Sequence, residues 1–190
     1  MSQPEFTSPA VSETVITELM VPSYTNFGGK IHGGVILSLM DKAAYVCATK
    51  HARAYCVTAS IDTVDFLESV EVGDLVSLKA TINYTGRSSM VVGIRVESEN
   101  VKENIVKHTN TSYFTMVAKD EHHRSMQVPG LILETEDQIR RFMEAIKRKE
   151  LKLAMKNETR HIKTSFNLPE AIALLQNERC IINENRKEHP

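Results

Sequence analysis

The chain has 190 residues, 42% of them hydrophobic, and a formal net charge of -1 at pH 7. That size suits one domain plus an appendage, and the balanced charge supplies no global pull toward nucleic acid or an anionic membrane. Cys47, Cys56 and Cys180 are too few and scattered for a disulfide framework or a zinc site. No basic and apolar leader opens the sequence, and no apolar run approaches the roughly 18 residues of a membrane span. These features predict a cytoplasmic protein that holds no metal.

In chain order, residues 1–10 read as a flexible tail, and VSETVITELM alternates as a first strand. GGVILSLMDKAAYVCATKHA predicts a helix over 33–52 with apolar residues on nearly every face, the pattern of a helix wrapped by protein on most sides. YCVTASIDTVDFL, rich in Val, Thr and Ile, predicts a second strand. In DLVSLKATINYT the alternation puts Val76, Leu78, Ala80, Ile82 and Tyr84 on one face. SMVVGIRVESE does the same with Met90, Val92, Ile94 and Val96, and IVKHTNTSYFTMVAK makes a long final strand. Short connections between these strands imply an antiparallel sheet, and one long helix against it makes the fold class α+β.

Past Pro129, Thr135 and Gln138 form a capping-box pattern. The helix they open is expected to reach about Asn157 and to bury Ile139, Phe142, Met143, Ile146 and Leu153. Its basic residues, Arg140 and Arg141 among them, form a solvated face. A short helix follows near PEAIALLQ, then a polar tail. The expected organisation is a tail at 1–10, a domain at 11–130 and a helical extension at 131–190.

The densest chemistry lies in NFGGKIHGGVILSLMD, residues 26–41. It lacks the G-x-x-x-x-G-K-[ST] pattern of a phosphate loop, and its helix belongs to an antiparallel sheet. What remains is a helix opening on Gly33 and Gly34. Glycine permits close approach to the backbone, and free amides at a helix start favour developing negative charge, as in an oxyanion hole. Asp41 returns to nearly the same helical face two turns later. The residues alone leave two readings open for it: an acid that caps a loop or pairs with a cation, or an acid that does chemistry. His32 likewise either orients the loop or acts as a base. His122 and His123 form a loop pair without matching ligands.

The pattern N-x5-HGG-x6-D, followed by DTVDFLESVEVGD and then YTGRSS, resembles the hotdog-fold acyl-CoA thioesterases, chiefly the YciA and brain acyl-CoA hydrolase types. The HGG form of the helix entrance also resembles the phenylacetyl-CoA thioesterase branch. The resemblance covers roughly residues 11–130. It implies a sheet wrapped around one long central helix and hydrolysis of acyl-CoA to free acid and CoA. Asp41 would be the base or nucleophile. The Gly33 amide, helped by Gly34, would polarise the thioester carbonyl. Asn26 would act across a subunit interface, and His32 would support the loop. Gly86, Arg87, Ser88 and Ser89 would hold CoA, together with Arg124 and Ser125. The resemblance further implies a homodimer with shared sites, assembled as a trimer of dimers, and no cofactor besides the CoA of the substrate. A non-catalytic acyl-CoA sensor is the alternative from another class, with the basic helix as its output surface. A hotdog dehydratase would need a catalytic His and Asp in an arrangement absent from the sequence.

Overall fold

The computed structural model describes residues 5–183. The chain divides into two compact units, Met1–Ile146 and Lys147–Pro190. The first is built on a five-stranded antiparallel sheet: β2 (Thr14–Leu19), β3 (Tyr55–Ile61), β4 (Leu75–Thr85), β5 (Ser89–Asn100) and β6 (Ile105–Lys119). The spatial order is β2-β4-β5-β6-β3, so β2 and β3 are the edges. Between β2 and β3 the chain runs through helix α1, Gly33–Ala52, which packs on one face of the sheet.

This helix begins and ends where the apolar run predicts, and its burial is one-sided. Ile36, Leu39, Met40, Ala43, Ala44, Cys47, Ala48, His51 and Ala52 are buried, whereas Asp41, Lys42, Tyr45 and Val46 face outward. The alanines let the helix approach Val76, Leu78 and Ile82 of β4, Val92, Ile94 and Val96 of β5, and Phe114 and Met116 of β6, all buried. Truncating a core residue such as Met40 to alanine costs about 2–5 kcal/mol. The sheet curls around α1, as expected, and all five strands contact it, while the face carrying Asp41, Lys42, Tyr45 and Val46 stays exposed.

Four local expectations are corrected. Tyr84 does not share the core face of β4. The ladder slips between Ile82 and Tyr84, and Tyr84 then pairs with Val91, on the outer face. That bulge spends one residue, Asn83, without a partner and turns every later side chain over. The predicted strand beyond Ile61 is a loop, residues 62–74. The expected tail is in part ordered, since Phe6–Thr7 (β1) pair in parallel with Gly130–Leu131 (β7). Residues 1–4 and 184–190, including the end of the polar tail, lie outside the described residues.

The fourth correction concerns helix α2, which runs Glu136–Thr164, a further two turns beyond the expected end. Its start is the predicted capping box: Gln138 N–H donates to Thr135 Oγ1 at 3.2 Å, and Gln138 Oε1 accepts from Thr135 N–H at 3.3 Å. Its expected apolar stripe is mostly uncovered, with Ile139, Met143, Ile146 and Leu153 all exposed. Ala145 is buried, and the Phe142 ring lies 5.0 Å from that of Tyr84. Helix α3, Leu168–Leu175, carries Pro169 in its first turn. No helix among the described residues is long and apolar enough to cross a membrane.

His51 closes the far end of α1. Its Nε2 lies 3.0 Å from the Pro129 carbonyl, and its buried Nδ1 has no partner. Burial pushes its pKa below the ordinary 6.5, because a second N–H would find no acceptor. The unfolded chain therefore takes up this proton first as pH falls. The stability tied to neutral His51 is complete above the ordinary value and declines below it. Urea unfolding at pH 7 and pH 5 should show a smaller loss of stability in His51→Gln than in the wild type. Equal losses would contradict this assignment.

Candidate active site

The entrance to α1 is set by one side chain. His32 is the N-cap, with extended backbone, and its Nδ1 accepts the Gly34 N–H at 2.8 Å. Val35 N–H is taken by the His32 carbonyl at 2.9 Å. The Gly33 N–H is left without an acceptor among the described residues, at the positive end of a 20-residue helix. Of the two glycine amides expected to face a carbonyl, Gly34 is thus occupied by the cap and Gly33 is available.

Asn26 sits ahead of this entrance in a tight turn. Its Oδ1 accepts from Gly28 N–H at 2.8 Å and Lys30 N–H at 3.3 Å, and its backbone N–H donates to the Lys30 carbonyl at 2.8 Å. Gly29 takes φ of 78°, a conformation that favours glycine. With Oδ1 consumed by the turn, Asn26 presents only its Nδ2 donors outward. The turn is held to α1 through the His32 N–H, which donates to the Tyr24 carbonyl at 2.8 Å.

Asp41 lies on the uncovered side of α1, where water and any partner can reach it. Thr58 of β3 donates its hydroxyl to Asp41 Oδ1 at 2.6 Å. This short, charge-assisted bond fixes one carboxylate oxygen and leaves the other open. Sequence reasoning missed Thr58. The available signal was alternation, because two residues from Cys56, itself buried, it returns to the side of the strand that meets α1. A cleft of about 650 Å³ opens here, lined by Asp41, Lys42, Tyr45, Tyr55 and Thr58 among others. A second, of about 470 Å³, is lined by Tyr24, His32, Gly34, Ser38 and Lys42 among others. Gly33 and Asp41 are eight residues apart on one helix, hence about 12 Å apart along its axis.

The residues expected to hold CoA gather at the β4–β5 turn, level across β6 with Thr58: Ser89 pairs with Val117 and Thr58 with Met116. Gly86, Arg87, Ser88 and Ser89 form the turn from β4 to β5, closed by Gly86 N–H to the Ser89 carbonyl at 2.8 Å. The segment around Arg124 and Ser125 is stitched alongside: Ala118 N–H donates to Ser88, Met126 N–H to Ala118, and Val128 N–H to Arg87. Arg87 is exposed and makes no ion pair among the described residues. Arg124 instead pairs with Asp120 at 3.1 Å, and its own backbone N–H, with that of His122 and its guanidinium, holds that carboxyl below the usual range. Ser125 Oγ accepts from Lys119 at 3.3 Å.

Two other features play no part in this constellation. Burial pushes the thiols of Cys47 up to about 12 and Cys56 up to about 11, which leaves neither as a nucleophile at neutral pH. A cavity of about 480 Å³ on the outer sheet face, lined by Lys79, Arg95 and Arg140 among others, contains none of the predicted catalytic residues.

Residues 28–105 match the family model described as the thioesterase superfamily. Over 150 residues the chain is 42% identical to protein VdlD of Helicobacter pylori, covering 78% of this chain and 86% of that one. It is 33% identical over 167 residues to the uncharacterized acyl-CoA thioester hydrolase YkhA of Bacillus subtilis, covering 88% and 95% respectively. Among solved structures, a hexameric acyl-CoA thioesterase superposes with a TM-score of 0.78 at 38% identity, covering 80% of this chain and 98% of that one. An acyl-CoA hydrolase from Staphylococcus aureus, solved with butyryl-CoA and CoA, superposes at 0.76 with 31% identity, covering 84% and 98%. That enzyme has also been solved with alanine in place of an aspartate, an asparagine and a threonine.

If His32 is the cap of α1, His32→Ala should cost about 1 kcal/mol in urea unfolding, and His32→Asn should retain most of it. Equal stability of all three proteins would contradict the capping role.

Proposed function

The chain belongs to the acyl-CoA thioester hydrolases of the thioesterase superfamily, and from that premise we propose how its residues divide the hydrolysis of acyl-CoA to carboxylic acid and CoA. The observation that carries the proposal is the Thr58–Asp41 bond on the open side of α1, with the unoccupied Gly33 N–H at the start of that helix. The aspartate, asparagine and threonine replaced in the Staphylococcus aureus hydrolase have the same spacing along that chain as Asn26, Asp41 and Thr58 have here.

The thioester carbonyl oxygen accepts the Gly33 N–H and lies at the helix N-terminus. Asn26 Nδ2 donates to the same oxygen or to the attacking water. Asp41 takes a proton from that water as its oxygen bonds to the carbonyl carbon. The electron pair moves onto the carbonyl oxygen, where the amide and the helix end stabilise it. Collapse breaks the C–S bond, and the proton held by Asp41 passes to the departing CoA sulfur. His32 and Thr58 position the amide and the carboxylate. Arg87, with Gly86, Ser88 and Ser89, receives the phosphate end of CoA, since a free guanidinium matches phosphate oxygens. Arg124 and Ser125 border that turn, with Arg124 turned toward Asp120. The reaction uses no resident cofactor.

An axial separation of about 12 Å is too great for Gly33 and Asp41 of one helix to act on one thioester. Each site therefore pairs Asp41 of one chain with Gly33 and Asn26 of another. The open edge β3 offers the means, because a second β3 can pair with it and cover Tyr45, Tyr55 and Ile61, which are exposed. Three such dimers make a hexamer, the state of the similar thioesterase. In this reading the thioesterase domain is residues 11–130, the extension that begins at 131 carries helices α2 and α3, and the protein works in the cytoplasm.

Following CoA thiol release from butyryl-CoA, Asp41→Ala should lower kcat by roughly 10²–10⁴-fold with little change in KM. Thr58→Ala should lower it by about tenfold, the worth of one hydrogen bond to a charged group. Near-normal turnover in Asp41→Ala would remove that residue from the mechanism.

A further inference from the structure

The loop 62–74 places an aromatic ring at the mouth of α1. A methyl group built on the Gly33 Cα would lie 3.2 Å from Cζ of Phe66 and 3.4 Å from its Cε2. The ring thus rests on the bare Cα beside the Gly33 amide, which has no acceptor among the described residues, and a side chain there would push the ring back by a few tenths of an ångström. Phe66 is nevertheless 52% exposed, so its other side faces outward.

The loop is anchored on both sides of the ring. Asp62 N–H donates to the Tyr113 carbonyl at 2.9 Å, and Leu67 N–H donates to that of Thr109 at 2.8 Å. Ile31, just before the helix, donates its N–H to the Val70 carbonyl at 3.0 Å. These bonds tie the loop backbone to β6 and to the glycine turn on both sides of Phe66, whose ring stands as a wall against Gly33. A carbonyl bonded to the Gly33 N–H brings its own substituents against that wall.

We infer that Phe66 is a specificity-determining residue that selects acyl-CoA substrates unbranched at the acyl α-carbon. The inference rests on the assignment of Gly33 as the carbonyl's donor. A straight chain presents only hydrogens at its α-carbon and slides along the ring face. A second alkyl group there has no space unless the ring or the carbonyl moves, and the carbonyl then loses alignment with the amide.

The experiment compares kcat/KM for n-butyryl-CoA and isobutyryl-CoA, two esters of equal carbon number, in wild type, Phe66→Ala and Phe66→Leu. The wild type should favour the straight chain by about tenfold or more, the usual scale for one misplaced methyl group. Phe66→Ala should shrink that ratio by about tenfold, mainly through faster turnover of the branched ester, with Phe66→Leu between. A general loss of fold or activity would move both esters together, so the ratio reports the wall alone. With Asp41→Ala inactive, an unchanged ratio in Phe66→Ala overturns the inference and leaves the hydrolase mechanism standing. An active Asp41→Ala removes Asp41 from the mechanism without altering the Phe66 ratio, so the two failures are told apart.

Discussion

The sheet curls around α1 and touches it with all five strands, yet one face of this largely apolar helix is left exposed. Its inner stripe, from Ile36 to Ala52, is buried against β4, β5 and β6. Its other side carries Asp41, Lys42 and Tyr45, which are exposed. The catalytic proposal follows from this asymmetry. Burying Asp41 without a cation would be costly, and in the open it can be held by a single hydroxyl and still reach a substrate. The same asymmetry leaves apolar surface for a second chain to cover.

The two ends of the helix serve different tasks. At the start, His32 uses its ring nitrogen to absorb one orphan amide and thereby leaves a neighbouring one free. A serine or aspartate cap would satisfy the same amide with a smaller group. At the end, His51 spans from the helix to Pro129 and depends on staying neutral. In the proposed mechanism one histidine stands beside a donor used for chemistry, while the other ties the core to the chain entering β7. Neither acts as the general base in the proposed mechanism.

Much of this was legible in the residues because it depends on local period. The bounds of α1 follow from an unbroken apolar run that begins at two glycines. Those of β6 follow from one long β-rich segment, and the α2 start from Thr135 and Gln138. The features that escaped depend on contacts distant in sequence. Tyr84 faces outward because Asn83 is spent in a bulge, which alternation does not announce. Residues after Ile61 look strand-like but hydrogen-bond to β6 only at single points, so no ladder forms. Thr58 is the single threonine of β3, yet nothing local marked it until the fold set it 2.6 Å from Asp41. The stripe of Ile139, Met143 and Ile146 has the right spacing for burial, yet spacing does not say what will cover it.

The central claim is that each active site is completed by two chains. It is tested most directly by mixing two inactive variants, Asp41→Ala and Asn26→Ala, under conditions in which subunits exchange, and measuring CoA release. Random pairing makes half of the dimers hybrid, each with one intact site, so activity should return to about a quarter of the wild-type value. A mixture that stays as inactive as its components, with exchange verified by mass, would place the whole site within one chain and contradict the account.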